Sequence, residues 1–343
     1  MNVDSYLNKV KNGEISIVDY IKSVIKEAKI LNKEYNFFNF ISESAIERAE
    51  ELEKNPKGKL AGLPVSVKDC ICVKNMESRA GSLILKGYNP VVNATVIERL
   101  EKEGAIIIGK TSQDEFGFGS FSVNTDNIPK NPFDKNRSCG GSSGGAAGFT
   151  SKTENAHVAI AESTGGSIAC PASFCGVAGL TPTYGVVSRY GLIDYANSLD
   201  KIGVIGKNIK DINPVFDVIY GKDEKDSTSI LPKFKDKKVT KIAVIKETLN
   251  VDKEIKDLVL NKVGRVDQIS LPLVSKYGLS CYYLISMAEA STNLSKYCGL
   301  RYGETLSLSG DFNEYFSKVR SEFFTKEAKR RIILGTFARM SGF

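Results

Sequence analysis

Two short runs set hydroxyl side chains against pairs of glycines: Cys139-Gly-Gly-Ser-Ser-Gly-Gly-Ala146 and Ala161-Glu-Ser-Thr-Gly-Gly-Ser-Ile-Ala-Cys-Pro171. Glycine pairs free the backbone to reach positive φ and leave N–H groups uncovered beside the hydroxyls. That is the equipment of an acyl-transfer site, a serine nucleophile next to donors that hold an oxyanion. The usual base for such a serine is an imidazole. The chain has a single histidine, His157, in the apolar stretch Ala156-His-Val-Ala-Ile160, which reads as a buried strand holding a satisfied core residue. A lysine kept neutral by burial is the substitute base. Lys68 fits, standing near the end of the apolar segment Gly62-Leu-Pro-Val-Ser-Val-Lys-Asp69.

These segments, with Pro171-Ala-Ser-Phe-Cys-Gly-Val-Ala-Gly-Leu-Thr-Pro-Thr-Tyr-Gly185, resemble the amidase signature family, hydrolases with a Ser–cis-Ser–Lys triad. Val187-Ser-Arg-Tyr-Gly-Leu-Ile193 and Ser198-Leu-Asp-Lys-Ile-Gly203 are similar to the branch that hydrolyses glutamine within tRNA-dependent amidotransferases. The likeness runs from about Leu60 to Gly206 and returns at Ala288. It implies Ser167 as nucleophile and acyl carrier, Ser142 as the cis-serine relay and Lys68 as base. The backbone N–H groups of Thr164, Gly165, Gly166 and Ser167 would form the oxyanion hole. Ser143, beside the relay, is placed with substrate binding and is the other hydroxyl of its run that could serve as the relay. Arg301, in Ala288-Glu-Ala-Ser-Thr-Asn-Leu-Ser-Lys-Tyr-Cys-Gly-Leu-Arg-Tyr-Gly303, would hold the glutamine carboxylate, for which a guanidinium fork is suited.

The resemblance further implies an α/β amidase signature fold, a mixed, mostly parallel sheet covered by helices on both faces. It implies one component of a carbon–nitrogen ligase with glutamine as amido donor, supplying ammonia to convert Glu-tRNA(Gln), Asp-tRNA(Asn) or both. The partners would be B-type and C-type subunits (GatB-like and GatC-like) in a heterotrimer, with aminoacyl-tRNA met mainly through the B-type partner. No cofactor or metal is expected in this chain, and ATP and Mg2+ belong to the partner. A free-standing small-molecule amidase is the alternative, as is an incomplete or split form of the glutamine-hydrolysing component.

Composition agrees with a globular enzyme. The 343 residues are 42% hydrophobic and 25% charged, ordinary values for a folded soluble chain. No apolar run is long enough to cross a bilayer, and Met1-Asn-Val-Asp-Ser is no signal peptide, so a cytoplasmic location without membrane contact is expected. The net charge of +7 is partly local to Lys318, Arg320, Lys326, Lys329, Arg330, Arg331 and Arg339. With Glu322 and Glu327 interspersed, that cluster reads as a solvated helix face. Seven scattered cysteines show no CxxC pairing, which argues against zinc.

The elements that must position the site follow from periodicity. Ser16 opens a helix with Ile17, Tyr20, Ile21, Val24 and Ile25 on one face. Ser42 to Glu53 reads as a second helix. Asn93 reads as the cap of a helix carrying Val96, Ile97 and Leu100, ended by Gly104 before a strand at Ala105 to Ile108. Such strand and helix alternation predicts a sheet with its site in loops at strand ends. Gly109-Lys110-Thr111 echoes a phosphate-binding loop but lacks the upstream glycine; the resemblance instead implies a loop bordering the acyl site, with Asp114 and Glu115 as structural or gating acids. Helices at Asn208 to Ile219 and Lys253 to Val263 and a strand at Lys241 to Ile245 follow, the strand expected to join the same sheet. Residues Lys222 to Lys238 read as an exposed connector. One domain is expected over 1–343: a helical region 1–59, a signature core 60–206 and a shortened part 207–343 lacking the family's last helices.

Three positions depart from the family pattern. Cys70 stands where the family commonly has asparagine, and Ser163, with Glu162 beside it, where it commonly has aspartate. The stop at Ser341-Gly-Phe343 precedes a family segment that supplies an acid for the substrate's α-amino group.

Overall fold

A computed structural model of the chain describes residues 1–231, 241–264, 266–308 and 310–340. The elements, in chain order, begin with α1 (Val3–Lys11), α2 (Ile17–Tyr35), β1 (Phe38–Ile41), α3 (Ser44–Glu53) and β2 (Pro64–Lys68). Next come α4 (Thr95–Lys102), β3 (Ile106–Thr111), α5 (Gly144–Lys152), β4 (Val158–Ser163), α6 (Ala169–Phe174), β5 (Ala178–Leu180) and β6 (Lys201–Gly206). The chain continues through α7 (Ile209–Ile219), β7 (Ala243–Ile245), α8 (Lys253–Val263), β8 (Asp267–Ile269), α9 (Pro272–Asn293), α10 (Phe312–Phe323) and α11 (Lys326–Ala338).

Six strands form a mixed sheet in the order β1-β3-β2-β4-β6-β5. The central strands β3, β2 and β4 are parallel, while β1, β6 and β5 join antiparallel. Every residue of β2, β3 and β4 is buried. Successive strand side chains point to opposite faces, so helices cover both. Helix α5 packs on β2, β4 and β6, helix α7 on β4, β5 and β6, and α3 and α4 reach β3. Parallel pairing brings the C-terminal ends of β2, β3 and β4 to one edge, where Lys68 lies opposite Thr111.

The α2 start follows its sequence signal, with Ser16 Oγ accepting from Asp19 N at 3.1 Å and Ile17, Tyr20, Ile21, Val24 and Ile25 buried. Helix α3 begins two residues later than its pattern suggests, because Ser42 N still donates to Ile108 O at 2.9 Å, prolonging the sheet contact. Asn93 does not cap α4. Its side chain accepts from Lys74 N at 2.7 Å and donates to Glu101 at 2.8 Å, and Ala94 precedes the helix instead. The strand at Ala243–Ile245 does not join the main sheet. It pairs in parallel with β8 as a separate two-stranded sheet, and neither these strands nor α8 bury a residue. Part of the expected 222–238 connector and the last three residues lie outside the described residues.

Helices α9 and α11 pack against each other, and Gly335 of α11 lies against the Met287–Ala288 backbone of α9. A Cβ built there would lie 1.8 Å from the Met287 carbonyl oxygen, an overlap with backbone that no rotamer change relieves. Gly335→Ala is expected to destabilise the protein by roughly 1–3 kcal/mol through overpacking, read as a lowered urea midpoint.

Candidate active site

Lys68 ends β2 fully buried, and its three N–H directions each meet an acceptor. Nζ donates to Ser142 Oγ at 2.7 Å, to the Glu162 carbonyl at 3.0 Å and to Glu162 Oε2 at 2.9 Å. Burial without a counter-charge is what the sequence led us to expect. The structure instead opposes Lys68 with a carboxylate that is itself only 3% exposed. The register explains the meeting: β2 and β4 are parallel neighbours with Val67 opposite Ile160, so the end of one strand lies beside the end of the other.

Ser142 follows a cis peptide from Gly141. Its run is held from below by Asp114, whose N–H donates to the Ser142 carbonyl at 3.2 Å. The Asp114 carboxylate accepts from Ser122 N and Asn124 N, each at 2.9 Å, although burial raises its pKa. Ser122 Oγ then bridges Gly140 O at 2.8 Å and Gly144 N at 3.1 Å. Gly117, at φ 79°, closes the site from the side: a Cβ there would stand 3.5 Å from both Ser142 Oγ and Glu162 Oε2.

The second run meets the first through Ser143 N, which donates to Ser167 O at 3.3 Å. Ser143 Oγ turns to the Glu162 carbonyl at 3.2 Å, so Lys68 contacts the hydroxyl of Ser142 and not that of Ser143. Ser167 is 6% exposed, and among the described residues its hydroxyl has no hydrogen-bond partner. The backbone N–H groups of Thr164, Gly165, Gly166 and Ser167 also find no acceptor among the described residues. Gly165 and Gly166 are exposed, and the Tyr282 ring lies against Gly165. Ser163 supports this loop locally by donating to Gly165 O at 3.0 Å.

A second carboxyl stands behind the loop. Thr164 Oγ1 is 2.9 Å from Glu162 Oε1 and 2.9 Å from Asp200 Oδ1. Asp200 Oδ2 accepts from Tyr195 N and Ala196 N, each at 2.9 Å. Burial, reinforced by the Glu162 charge, raises the Asp200 pKa to about 8. Neither Glu162 nor Asp200 was among the residues singled out for chemistry, though an acid inside the apolar strand Val158-Ala-Ile-Ala-Glu-Ser163 was a signal for one of them.

The remaining candidates sort clearly. His157 is buried, bonded to Ser66 Oγ at 3.0 Å and Thr150 Oγ1 at 3.3 Å, and burial lowers its pKa to about 3. It is core. Lys110 is buried in β3 on Ser78 Oγ at 2.5 Å and the Asp69 carbonyl at 3.2 Å, so it faces no phosphate. Cys70 is buried with its thiol pKa raised by desolvation. Glu115 accepts from Ser82 Oγ at 2.6 Å and from Thr325 N at 3.1 Å, tying the start of α11 to the site loop while burial raises its pKa to about 7. Arg301 is exposed and makes no side-chain hydrogen bond or ion pair to Lys68, Ser142, Ser143, Thr164 or Ser167. Among the described residues no group of three or more His, Cys, Asp and Glu side chains is placed to hold a metal.

The arrangement is a buried lysine on a serine hydroxyl, beside a second serine with unfilled backbone donors. Residues 19–343 match the family described as Amidase. The chain belongs to the amidase family. It is 43% identical over 318 residues to the A-type subunit of glutamyl-tRNA(Gln) amidotransferase from Archaeoglobus fulgidus, covering 90% of this chain and 69% of that one. Identity to the protein of the same name from Methanosarcina mazei is 42% over 362 residues, covering 100% and 74%. The crystal structure of the corresponding glutamyl-tRNA(Gln) amidotransferase chain from Thermotoga maritima superimposes with a TM-score of 0.73 at 30% identity, over 98% of this chain and 70% of that one.

Asp200 gives a stability test. Its folded-state pKa of about 8 lies above the ordinary 3.8, so the folded chain holds a proton that the unfolded chain releases. Its contribution to stability is therefore full at low pH and is lost as pH rises from about 4 through about 8. Asp200→Asn, which keeps the shape of the neutral acid, is expected to gain stability relative to the parent across that window, measured as the difference in denaturation midpoints at about pH 5 and about pH 9.

Proposed function

We propose that this chain is the glutamine-hydrolysing A-type subunit of a tRNA-dependent amidotransferase. The observation that carries the chemistry is the 2.7 Å contact of Lys68 Nζ with Ser142 Oγ, in a site where, among the described residues, the Ser167 hydroxyl and four backbone N–H groups have no hydrogen-bond partner. The likeness to the Archaeoglobus and Methanosarcina proteins supports glutamine as the amide.

In this reading Ser167 Oγ attacks the side-chain carbonyl carbon of glutamine. Its proton passes to Ser142 as Ser142 hands its own to Lys68. The developing oxyanion is met by the N–H groups of Thr164 to Ser167, each such donor typically contributing about 3 kcal/mol. Lys68, through Ser142, then protonates the leaving nitrogen, so ammonia departs and a γ-glutamyl ester remains on Ser167. Water repeats the cycle with the same proton path and releases glutamate. Ser143 borders the acyl group, and Arg301 is the residue proposed to hold the α-carboxylate. Ammonia passes to a B-type partner that activates the acyl group on tRNA with ATP and Mg2+, within a cytoplasmic heterotrimer completed by a C-type partner.

The test is ammonia release from glutamine by the chain alone and with B-type and C-type partners, each with and without ATP and charged tRNA. Activity that requires the partners is the expected result, and full activity of the chain alone would overturn its place in such a complex. Within the complex, Ser167→Ala is expected to lose on the order of 10^4-fold or more in kcat. Ser142→Ala should lose about 10^2–10^4-fold, the range of one acid–base relay. Ammonia release by an intact Ser167→Ala complex at the parental rate would overturn the acyl-enzyme route.

A further inference from the structure

A base must be able to accept a proton, yet Lys68 is surrounded as an ammonium would be. Its three N–H directions end on Ser142 Oγ, Glu162 O and Glu162 Oε2. A charged Lys68 satisfies all three and has no lone pair for Ser142. Of the three acceptors, only the Glu162 carboxylate is basic enough to take a proton outright.

The rest of the network keeps that carboxylate available. Thr164 Oγ1 carries one hydrogen but stands 2.9 Å from an oxygen of each carboxyl, Glu162 and Asp200. One hydroxyl cannot donate to both, so one carboxyl must supply a hydrogen of its own. The other oxygen of Asp200 already accepts two backbone N–H groups. With Glu162 opposed to Lys68, Asp200 is the acid: Asp200 donates to Thr164, and Thr164 donates to Glu162. The raised Asp200 pKa agrees with this assignment. The titratable groups around Glu162 are Lys68 on β2 with Cys70 beyond it, Asp200 and Lys201 at the start of β6, and Tyr282 on α9. Lys201 turns its ammonium to the Thr164 and Leu199 carbonyls.

We infer that Glu162 is the positioning residue that makes Lys68 a base, storing the lysine's proton on Oε2 during acyl transfer while Thr164 and Asp200 hold the carboxyl in place. In the step, the Nζ–H bond to Glu162 breaks and an Oε2–H bond forms. An ion pair becomes a neutral amine and a neutral acid with no net change of charge, an exchange that a dry site favours. Lys68 then takes one proton from Ser142 as Ser142 takes that of Ser167, and returns it to the leaving nitrogen. Glu162 keeps the stored proton throughout.

The inference rests on the amide-hydrolysis reading, so the experiment separates the two. Single-turnover ammonia release by the complex would be measured against pH for the parent, Glu162→Gln and Glu162→Asp, with circular dichroism confirming the fold of each. Glutamine at residue 162 accepts a hydrogen bond but stores no proton. Lys68 then lacks a counter-charge and must lose its proton to solvent, so the single-turnover rate should rise about tenfold per pH unit until the lysine is neutral and stay level above that. Glu162→Asp should keep the parental profile at a lower rate. Profiles of one shape for all three proteins would overturn the inference, because a merely structural role lowers both variants alike. A second measurement needs no activity: the infrared difference between parent and Asp200→Asn at neutral pH should contain the carbonyl band of a protonated carboxylic acid. Its absence would overturn the network. A parent complex that hydrolyses no glutamine would overturn the functional reading instead, and the infrared result would still decide the proton assignment.

Discussion

The structure depends on one buried polar contact, the Lys68 ammonium set against Glu162 and Ser142. A charge held away from water is tolerated only when its hydrogen-bonding capacity is met in full and an opposite charge lies beside it. Lys68 meets both conditions within 3.0 Å. Doing so requires the ends of two strands and the cis turn at Ser142 to converge, and the surrounding fold is the means of that convergence. Because β2 and β4 run parallel as neighbours, their C-terminal residues arrive at the same edge.

A second layer of acids fixes the loops that carry the hydroxyls. Asp114 gathers the Ser122 to Asn124 turn and the Ser142 carbonyl. Asp69 accepts from Asn39 and from Gly81 N, each at 2.9 Å, and faces Lys110 at 3.8 Å. Glu115 reaches 210 residues along the chain to Thr325, the cap of α11. Arg331 of α11 bonds the Tyr195 hydroxyl and stacks over Phe118 and Tyr195 at 5.1 and 5.6 Å. The C-terminal helices are thereby fastened to the same loop that bears Asp114 and Gly117, and α9 brings Tyr282 against Gly165 of the second serine run.

Much of this was legible in the order of residues. The two glycine and serine runs, the lysine at the end of an apolar segment and the solitary histidine in a strand each pointed to the place they occupy. Local signals succeeded where the physics is local, as at the Ser16 cap, at Asn208, whose side chain accepts from Asp211 N at 3.1 Å, and along Lys253–Val263. They failed where a distant partner outcompeted the local one. Asn93 has the chemistry of a cap but commits its side chain to Lys74 and Glu101. The strand at Ala243–Ile245 carries an apolar pattern that says nothing of which neighbour it will find, and it found β8.

By itself the sequence pointed to the chemistry proposed for the site, because serines without an available imidazole turn the search for a base to lysine. It also determined the class of fold, since short apolar strands alternating with amphipathic helices have few ways to bury both faces. The charge that confronts Lys68 was decided only by the tertiary structure. Glu162 is 94 residues from Lys68 along the chain, and Asp200, further along still, joins it only through the Thr164 hydroxyl. Their meeting follows from strand register, parallel between β2 and β4 and antiparallel between β4 and β6, which depends on the whole sheet and which no local pattern of residues encodes.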